Sequence, residues 1–155
     1  KGKEHGIVQF DQGAEVVFAA AGPAGLGAIE AAVDKGKKIV GVDSDQSTAY
    51  AENGDTTTAE HIVTSMVKNE GGSIFRAIEK DINGELAWGT SESLGIAEDG
   101  VGLAKNDVYE AAFTDEQKAK IEEIQEKVVS GEIQVDSAIG MSTEELDQIR
   151  NAVKP

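Results

Sequence analysis

The sequence contains no cysteine. Disulfide bonds, thiolate catalysis and cysteine-ligated zinc are therefore excluded, since each requires a thiol. The two histidines, His5 and His61, have no carboxylate or metal-ligand spacing around them, so neither is expected to be a catalytic base or a metal ligand. No apolar run approaches the ~20 residues that a membrane span needs. The first residues lack both a Met and the apolar segment of a signal peptide, which favours a truncated or processed chain.

Basic residues are scarce. Lys and Arg total 14 against 29 for Asp and Glu, which gives a formal net charge of -15 over 155 residues. That charge repels phosphate backbones and anionic membrane surfaces, so nucleic acid is not an expected partner. We interpret the acidity as a solvated surface that keeps the chain soluble. A chain of this length normally forms one domain with a sizeable core.

The first half of the chain has a strand–helix–strand pattern. The apolar run Glu15–Ala21 predicts a buried strand, and apolar residues at helical spacing predict a helix over Gly25–Lys35, capped by Gly36. A second buried strand is predicted at Lys38–Val42 and stops at Asp43. Two strands joined by a helix predict a right-handed βαβ unit, hence an α/β fold with three layers and a mostly parallel sheet.

The remaining segments follow the same alternation, with less regular parts between them. Aromatic residues Phe75, Trp88 and Phe113 are expected to pack in the core. The predicted elements of the first part are an exposed loop with one helical turn at Ser44–Glu60, a strand at His61–Thr64, and a helix from near Lys68 or Asn69 to Gly84 with Ile74, Ala77, Ile78 and Ile82 on one face. They are followed by an irregular strand pair or crossover at Glu85–Leu103, a helix from the capping box Thr114–Gln117 to Gly131, and a short terminal helix from Ser142.

A glycine turn between the first strand and the first helix is the strongest local sign of a binding site. Gly22, Gly25 and Gly27 would let a ligand approach the backbone, and the helix that follows would offer free N–H groups. Asp43, at the next strand end, could accept hydrogen bonds from vicinal hydroxyls such as those of a nucleoside sugar. Both features would lie at the carboxyl edge of the sheet, where open α/β proteins bind ligands.

The same glycines allow two other interpretations. A dinucleotide fingerprint also places an acidic residue about 20 positions after its glycines, but its spacing is G-x-G-x-x-G. Here the spacing is G-x-x-G-x-G, and Pro23 stiffens the turn. Alternatively, the glycines make only the turn and the close helix packing, while Asp43 merely ends a strand.

Four stretches of the sequence resemble those of a known family, and this resemblance favours one of these interpretations. They are Val16–Gly25, Gly41–Gln46, Thr64–Asn69 and Asp99–Ala104. Together, in order and at similar separations, they resemble the basic membrane protein family of solute-binding lipoproteins, and the resemblance covers roughly residues 1–135. It implies the second lobe of a type I periplasmic-binding-protein-like fold, which closes over a purine nucleoside and delivers it to the membrane permease of an ABC importer.

The resemblance also implies roles for single residues. Gly22 would contact the ligand through its backbone, Asp43 would bind the ribose hydroxyls, and Lys68 would hydrogen-bond the ligand. Asp45 is a weaker ligand-binding candidate. Pro23 replaces a glycine common in the family, so the geometry of this loop is expected to differ.

The expected organisation is a C-terminal ligand-binding lobe at 1–135 and a short helical tail at 136–155. The first strand, the N-terminal lobe and an aromatic residue that stacks on the base are expected to be missing. The full-length protein would be an extracytoplasmic, membrane-anchored lipoprotein with neither cofactor nor catalytic activity.

Two further functions stay open from the residues alone. One is a dinucleotide-binding domain of an oxidoreductase, although the sequence offers no histidine, cysteine or tyrosine constellation for its chemistry. The other is the ligand-sensing half of a transcription regulator, although no DNA-reading element is visible. Both architectures share the predicted alternation of strands and helices.

Overall fold

One sheet organises the computed structural model of the protein, which describes residues 1–153. The first three strands are parallel, and the last is antiparallel to its neighbour. Within the described residues the strands lie side by side in the order β1 (Val16–Phe18), β2 (Lys38–Asp43), β3 (Ile62–Lys68) and β4 (Val101–Leu103). The predicted α/β class and mostly parallel sheet are confirmed.

Helices connect and flank these strands. The longest are α2, α5 and α7. Their bounds are α1 Gly2–Asp11, α2 Pro23–Lys35, α3 Gln46–Glu52, α4 Thr56–Ala59, α5 Glu70–Ile82, α6 Asp107–Ala112, α7 Asp115–Val129 and α8 Thr143–Ala152. Over residues 1–153 no helix is both long and apolar enough to cross a membrane.

The core lies where α1 and α2 pack against strands β2 and β3. Ile29, Ile39 and Ile62 are almost completely buried there, together with Phe10. Burial of each such side chain stabilises the folded state by about 1.5–3 kcal/mol. The two helices approach closely, since a Cβ added at Gly27 would lie 2.6 Å from the backbone nitrogen of Lys3. This core supports the strands whose ends form the candidate site.

The first strand is shorter than predicted, and the helix after it begins earlier. The strand ends at Phe18 rather than at Ala21, and α2 starts at Pro23 rather than at Gly25. Proline suits the first helical position because its missing N–H has no helical partner to lose there. Gly36 ends the helix in the left-handed conformation, as predicted.

The segment Ser44–Glu60, predicted as an exposed loop with one helical turn, instead contains two helices, α3 and α4. Asp45 caps α3 by accepting a hydrogen bond from the Thr48 backbone N–H, and Asp55 caps α4 through Thr58 in the same way. Side-chain caps of this kind stabilise even one or two helical turns. The two Asp-x-x-Thr repeats were the sequence signal for these helices.

The third strand and the glycine-rich segment also differ from the predictions. Strand β3 continues to Lys68, so of the two predicted starts of the next helix Lys68 is wrong, whereas Asn69 is the N-cap of α5. Only Val101–Leu103 of the predicted irregular strand pair at Glu85–Leu103 forms a strand. The following short helix α6 was not predicted; Asn106 caps it with its side chain.

Two of the three aromatic residues expected to pack are exposed. The exposed fractions are 69% for Phe75 and 78% for Trp88. Phe75 belongs to α5, whose predicted apolar face also leaves Ile74, Ile78 and Ile82 exposed. Phe113 does pack, with its ring centroid 4.9 Å from that of the buried Tyr109.

The two capping boxes at the end of the chain are confirmed. Thr114 and Gln117 begin α7 with reciprocal hydrogen bonds, and Ser142 and Glu145 begin α8 in the same way. Each box satisfies two N–H groups that a helix start leaves without a partner.

Candidate functional site

Asp43 and Lys68 meet at the carboxyl edge of the sheet. Asp43 pairs in register with Val67, so Lys68 is one residue further along the neighbouring strand. The Lys68 Nζ lies 2.7 Å from the Asp43 Oδ1, and the two side chains are 48% and 53% exposed. The structure therefore joins two of the residues that the sequence singled out, at the edge where parallel sheets bind ligands.

The backbone of Asp43 is in an uncommon conformation. Its φ is +72°, in the left-handed region that costs a non-glycine residue energy. Aspartate tolerates this region better than most residues because its short polar side chain can hydrogen-bond locally. The strand ends here in a sharp turn, which fixes the direction in which the carboxylate leaves the backbone.

The ion pair between Asp43 and Lys68 is weak enough for both side chains to form hydrogen bonds with a ligand. The hydrogen bond and the charge of Asp43 raise the pKa of Lys68 above its ordinary value, so the lysine stays protonated at neutral pH. Exposed pairs of this kind contribute only about 0–1 kcal/mol. A carboxylate has about four acceptor positions and an ammonium three donors, so both retain bonding capacity for hydroxyl groups.

The glycine turn lies at the same edge of the sheet. Gly22 has a φ of +52° and a ψ of −135°, a backbone conformation that favours glycine, and no atom would contact a Cβ added there within 4 Å. A groove of about 280 Å³ adjoins the turn and is lined by Phe18, Ala20 and Ala21, among others. The turn therefore leaves open space beside the strand ends.

The helix after this turn does not offer the free N–H groups that the sequence predicted. Ala24 donates its N–H to the carbonyl of Ala21, and Gly25 donates to Gly22. Pro23 has no N–H to offer. The first turn of α2 is thus poorly suited to a pyrophosphate, which dinucleotide-binding folds hold with such groups.

Asp45, the weaker candidate, is engaged in holding the fold together. Its carboxylate accepts hydrogen bonds from the backbone and hydroxyl of Thr48 and from the Asn106 side chain, the last at 2.9 Å to both oxygens. Partial burial opposes its ionisation, but the hydrogen bonds from Asn106 and Thr48 outweigh that effect and lower its pKa. Asp45 therefore links α3 to the start of α6.

The sequence analysis did not single out two residues that support the site. Asn69 caps α5 next to Lys68 and donates its side-chain N–H to Asp99 at 3.0 Å, while its backbone N–H donates to Gly100. Asn106 joins α3 to α6, as described above. Asparagine just before a helix is a capping signal, and it could have identified both.

Residues 1–153 contain no cluster of three or more His, Asp or Glu side chains that could hold a metal ion. The edge instead combines one carboxylate, one ammonium and an open glycine turn. Such a set can accept from and donate to the hydroxyl groups of a neutral polar ligand.

Comparison with known sequences gives a family match over most of the chain. Residues 1–138 match the family described as "ABC transporter substrate-binding protein PnrA-like". The chain is also similar to basic membrane protein D of Borreliella burgdorferi (strain JD1), with 33% identity over 109 residues. That alignment covers 68% of this chain and 30% of the relative, so the chain spans about a third of the length of such relatives.

Solved structures show the same fold. An ABC transporter system solute-binding protein from Aeropyrum pernix K1 superimposes with a TM-score of 0.70 at 20% identity, covering 97% of this chain and 47% of that one. A transcriptional activator of the comK gene from Bacillus halodurans gives a TM-score of 0.67 at 17% identity, covering 81% and 40%. These likenesses confirm the predicted periplasmic-binding-protein-like α/β fold.

Proposed function

The chain belongs to the PnrA-like family of ABC transporter substrate-binding proteins, and from that premise we propose that it forms one lobe of a receptor for purine nucleosides. The observation that carries this proposal is the Asp43–Lys68 pair beside the Gly22 turn, at the carboxyl edge of the parallel sheet. The receptor would work outside the cytoplasm and pass its ligand to the permease of an importer. Its proposed membrane attachment is a lipid anchor on the full-length protein.

A nucleoside sugar fits the chemistry of this edge. Two vicinal hydroxyls can donate to the carboxylate of Asp43, and Lys68 can donate to a ligand oxygen or ring nitrogen. Gly22 would contact the ligand through its backbone, since no side chain intervenes there. Asp45 supports the site through α3 in this proposal, because its oxygens already accept hydrogen bonds from Thr48 and Asn106.

We infer a cleft between two lobes because this edge is half exposed. Residues 1–135 would supply one wall, residues 136–155 a helical tail, and a first lobe the other wall. A ligand on one wall remains in contact with water, which competes for every hydrogen bond that the wall offers. Closure of a second lobe would remove that water and bury the base.

Family membership favours this proposal over the oxidoreductase and regulator functions that the residues alone left open. The bonded N–H groups at the start of α2 also argue against a pyrophosphate. We therefore expect a binding protein that carries out no reaction, and we expect calorimetry to detect purine nucleosides but not NAD as ligands of the full-length receptor.

The decisive experiment replaces Asp43 with Ala in the full-length receptor and, separately, in residues 1–155. Loss of charge-assisted hydrogen bonds worth about 1.5–3 kcal/mol each should weaken nucleoside binding at least tenfold in the receptor. In the isolated chain the same change should matter little, because half a cleft binds weakly. Calorimetric titration of adenosine, guanosine and inosine measures both.

Asp136→Ala is the matched control, since it removes one exposed carboxylate far along the chain from the strand ends. It should leave the affinity of the receptor unchanged. Tight NAD binding without nucleoside binding would reverse the proposal. Submicromolar nucleoside binding by monomeric residues 1–155 would show that the site is complete within this chain and that the two-lobe inference is wrong.

A further inference from the structure

The turn after β2 is closed by the side chain of Gln46. The backbone N–H of Val42 donates to the Gln46 Oε1 at 3.0 Å, and the backbone N–H of Ser44 donates to the carbonyl of Val42 at 2.9 Å. The backbone N–H of Gln46 donates in turn to the Ser65 hydroxyl at 3.2 Å. The turn is thus tied both to itself and to strand β3.

The residues around the Gln46 side chain leave space for it. Ser65 is completely buried, and Gly41 is buried beside it. A Cβ added at Gly41 would lie 2.5 Å from both the Gln46 Oε1 and the Ser65 Oγ. Any larger residue at position 41 would therefore displace one of the two groups that close the turn.

Asp43 lies inside the turn that these hydrogen bonds close. Its left-handed φ of +72° is a conformation that persists only where the surrounding structure holds it. Because the backbone fixes the direction of the Cα–Cβ bond, the same conformation aims the carboxylate at Lys68. Gln46 accepts from the residue directly before Asp43, so it is well situated to hold that conformation.

We propose that Gln46 is a positioning residue: by bonding Val42 and Ser65 it holds Asp43 in the conformation that presents its carboxylate at the sheet edge. The value of this position for binding rests on the nucleoside function proposed above. The Asp43–Lys68 geometry itself can be measured without any ligand.

The ligand-free test follows Lys68 by NMR in residues 1–155. Asp43 raises the pKa of Lys68, and Glu70 contributes to the same effect, so the titration midpoint of the lysine reports how closely the carboxylate approaches. Gln46→Met keeps the side-chain length and removes the acceptor oxygen. We expect it to lower the midpoint by at least half of the drop that Asp43→Asn produces.

Two further measurements keep this test decisive. Gln148→Met, on the exposed face of α8, is the matched control and should leave the Lys68 midpoint unchanged. If Gln46→Met does not fold, Ser65→Ala loosens the same turn by removing the acceptor of the Gln46 N–H and should lower the midpoint in the same direction. The rate at which the Lys68 ammonium protons exchange with water is a second measure of the Asp43–Lys68 contact, taken at neutral pH.

A merely structural role predicts a different result. Folded Gln46→Met would then have a lower melting temperature and an unchanged Lys68 midpoint, which would overturn the proposal whatever the receptor binds. In the full-length receptor, Gln46→Met should weaken nucleoside binding in the direction of Asp43→Ala and by less. If the wild-type receptor binds no nucleoside while the midpoint still falls in Gln46→Met, the positioning role stands and the proposed cargo fails.

Discussion

Helices α2 and α7 are similar in length but are stabilised in opposite ways. Helix α2 has a glycine N-cap with no side-chain hydrogen bond, yet it buries five residues, including Ile29 and Ala31. Helix α7 begins with the Thr114 capping box, and none of its residues, all of which the structure describes, is buried. Packing against the sheet holds the first helix, whereas local hydrogen bonds and ion pairs hold the second.

This difference shows which part of the fold depends on buried contacts. The start of α2 and the strand ends beside it form the candidate site, so they must keep fixed positions relative to one another. Local interactions define one helix at a time and cannot fix distances between elements, whereas buried contacts can. The effects of substitutions in the two helices should therefore differ both in magnitude and in how far they extend through the fold.

The largest contrast is expected for isoleucine truncation. Ile29 is 2% exposed in α2 and Ile124 is 43% exposed in α7. Ile29→Ala should lower the free energy of unfolding by about 2–5 kcal/mol, because it removes buried methyl groups and leaves a cavity. Ile124→Ala, the matched control, should change it by less than about 1 kcal/mol. Urea denaturation followed by circular dichroism measures both, and equal losses would contradict the contrast.

A smaller effect is expected from loss of the α7 cap. Thr114→Ala removes the acceptor for the Gln117 N–H and should destabilise α7 by about 0.5–2 kcal/mol. Because no residue of α7 is buried, the loss should remain local. Amide hydrogen exchange should therefore quicken in α7 and stay unchanged in strands β2 and β3. Faster exchange in the strands would show that α7 is coupled to the core.

The α7 comparison can be sharpened with Thr114→Ser, which keeps the hydroxyl acceptor of the cap. It should preserve most of the protection that Thr114→Ala removes. Equal exchange rates in the two variants would mean that the side-chain hydrogen bond does not stabilise the helix start.

The smallest effect concerns an ion pair on α7. Hydrogen bonds from Lys120 and Lys127 lower the pKa of Glu123 to about 2 from its ordinary 4.5. Since the folded-state pKa is the lower one, the stabilisation of α7 is present above about pH 4.5 and is lost as the pH falls through about 2. Carbon-13 NMR of the Glu123 carboxyl should report this midpoint.

Salt offers the control for Glu123. Its partners Lys120 and Lys127 both contact solvent, with side chains 62% and 34% exposed, so about 1 M NaCl, where the Debye length is about 3 Å, should move its pKa back towards 4.5. Lys127→Gln should move it in the same direction. A midpoint that responds to neither change would contradict the ion-pair explanation.

The sequence predicted best where the signal is local. The capping boxes at Thr114 and Ser142 are confirmed, as are the glycine cap at Gly36 and the strand that ends near Asp43. Each depends on residues a few positions apart. The helices in Ser44–Glu60 also had local signals, the two aspartate caps, but the polar composition of the segment favoured a loop.

Non-local contacts account for the remaining errors. Strand β3 extends to Lys68 because its last three residues pair with β4, which lies more than thirty residues further along the chain. Phe75 and Trp88 are apolar enough to pack, but no composition rule shows which apolar side chains find a partner. That Gly22, Asp43 and Lys68 contact a ligand stays a prediction.

By itself the sequence determined the alternation of strands and helices, and with it the sheet edge at which Asp43 lies, because hydrophobic periodicity and helix caps depend on residues that are close together in the chain. The sequence ranked Asp43 above Asp45, but only the tertiary structure showed what each of them contacts. Two positions apart in one polar turn, the first meets Lys68 on the next strand and the second receives Asn106, a residue 61 positions away. The physical reason is that partners so distant in sequence come together only when the strands and helices pack.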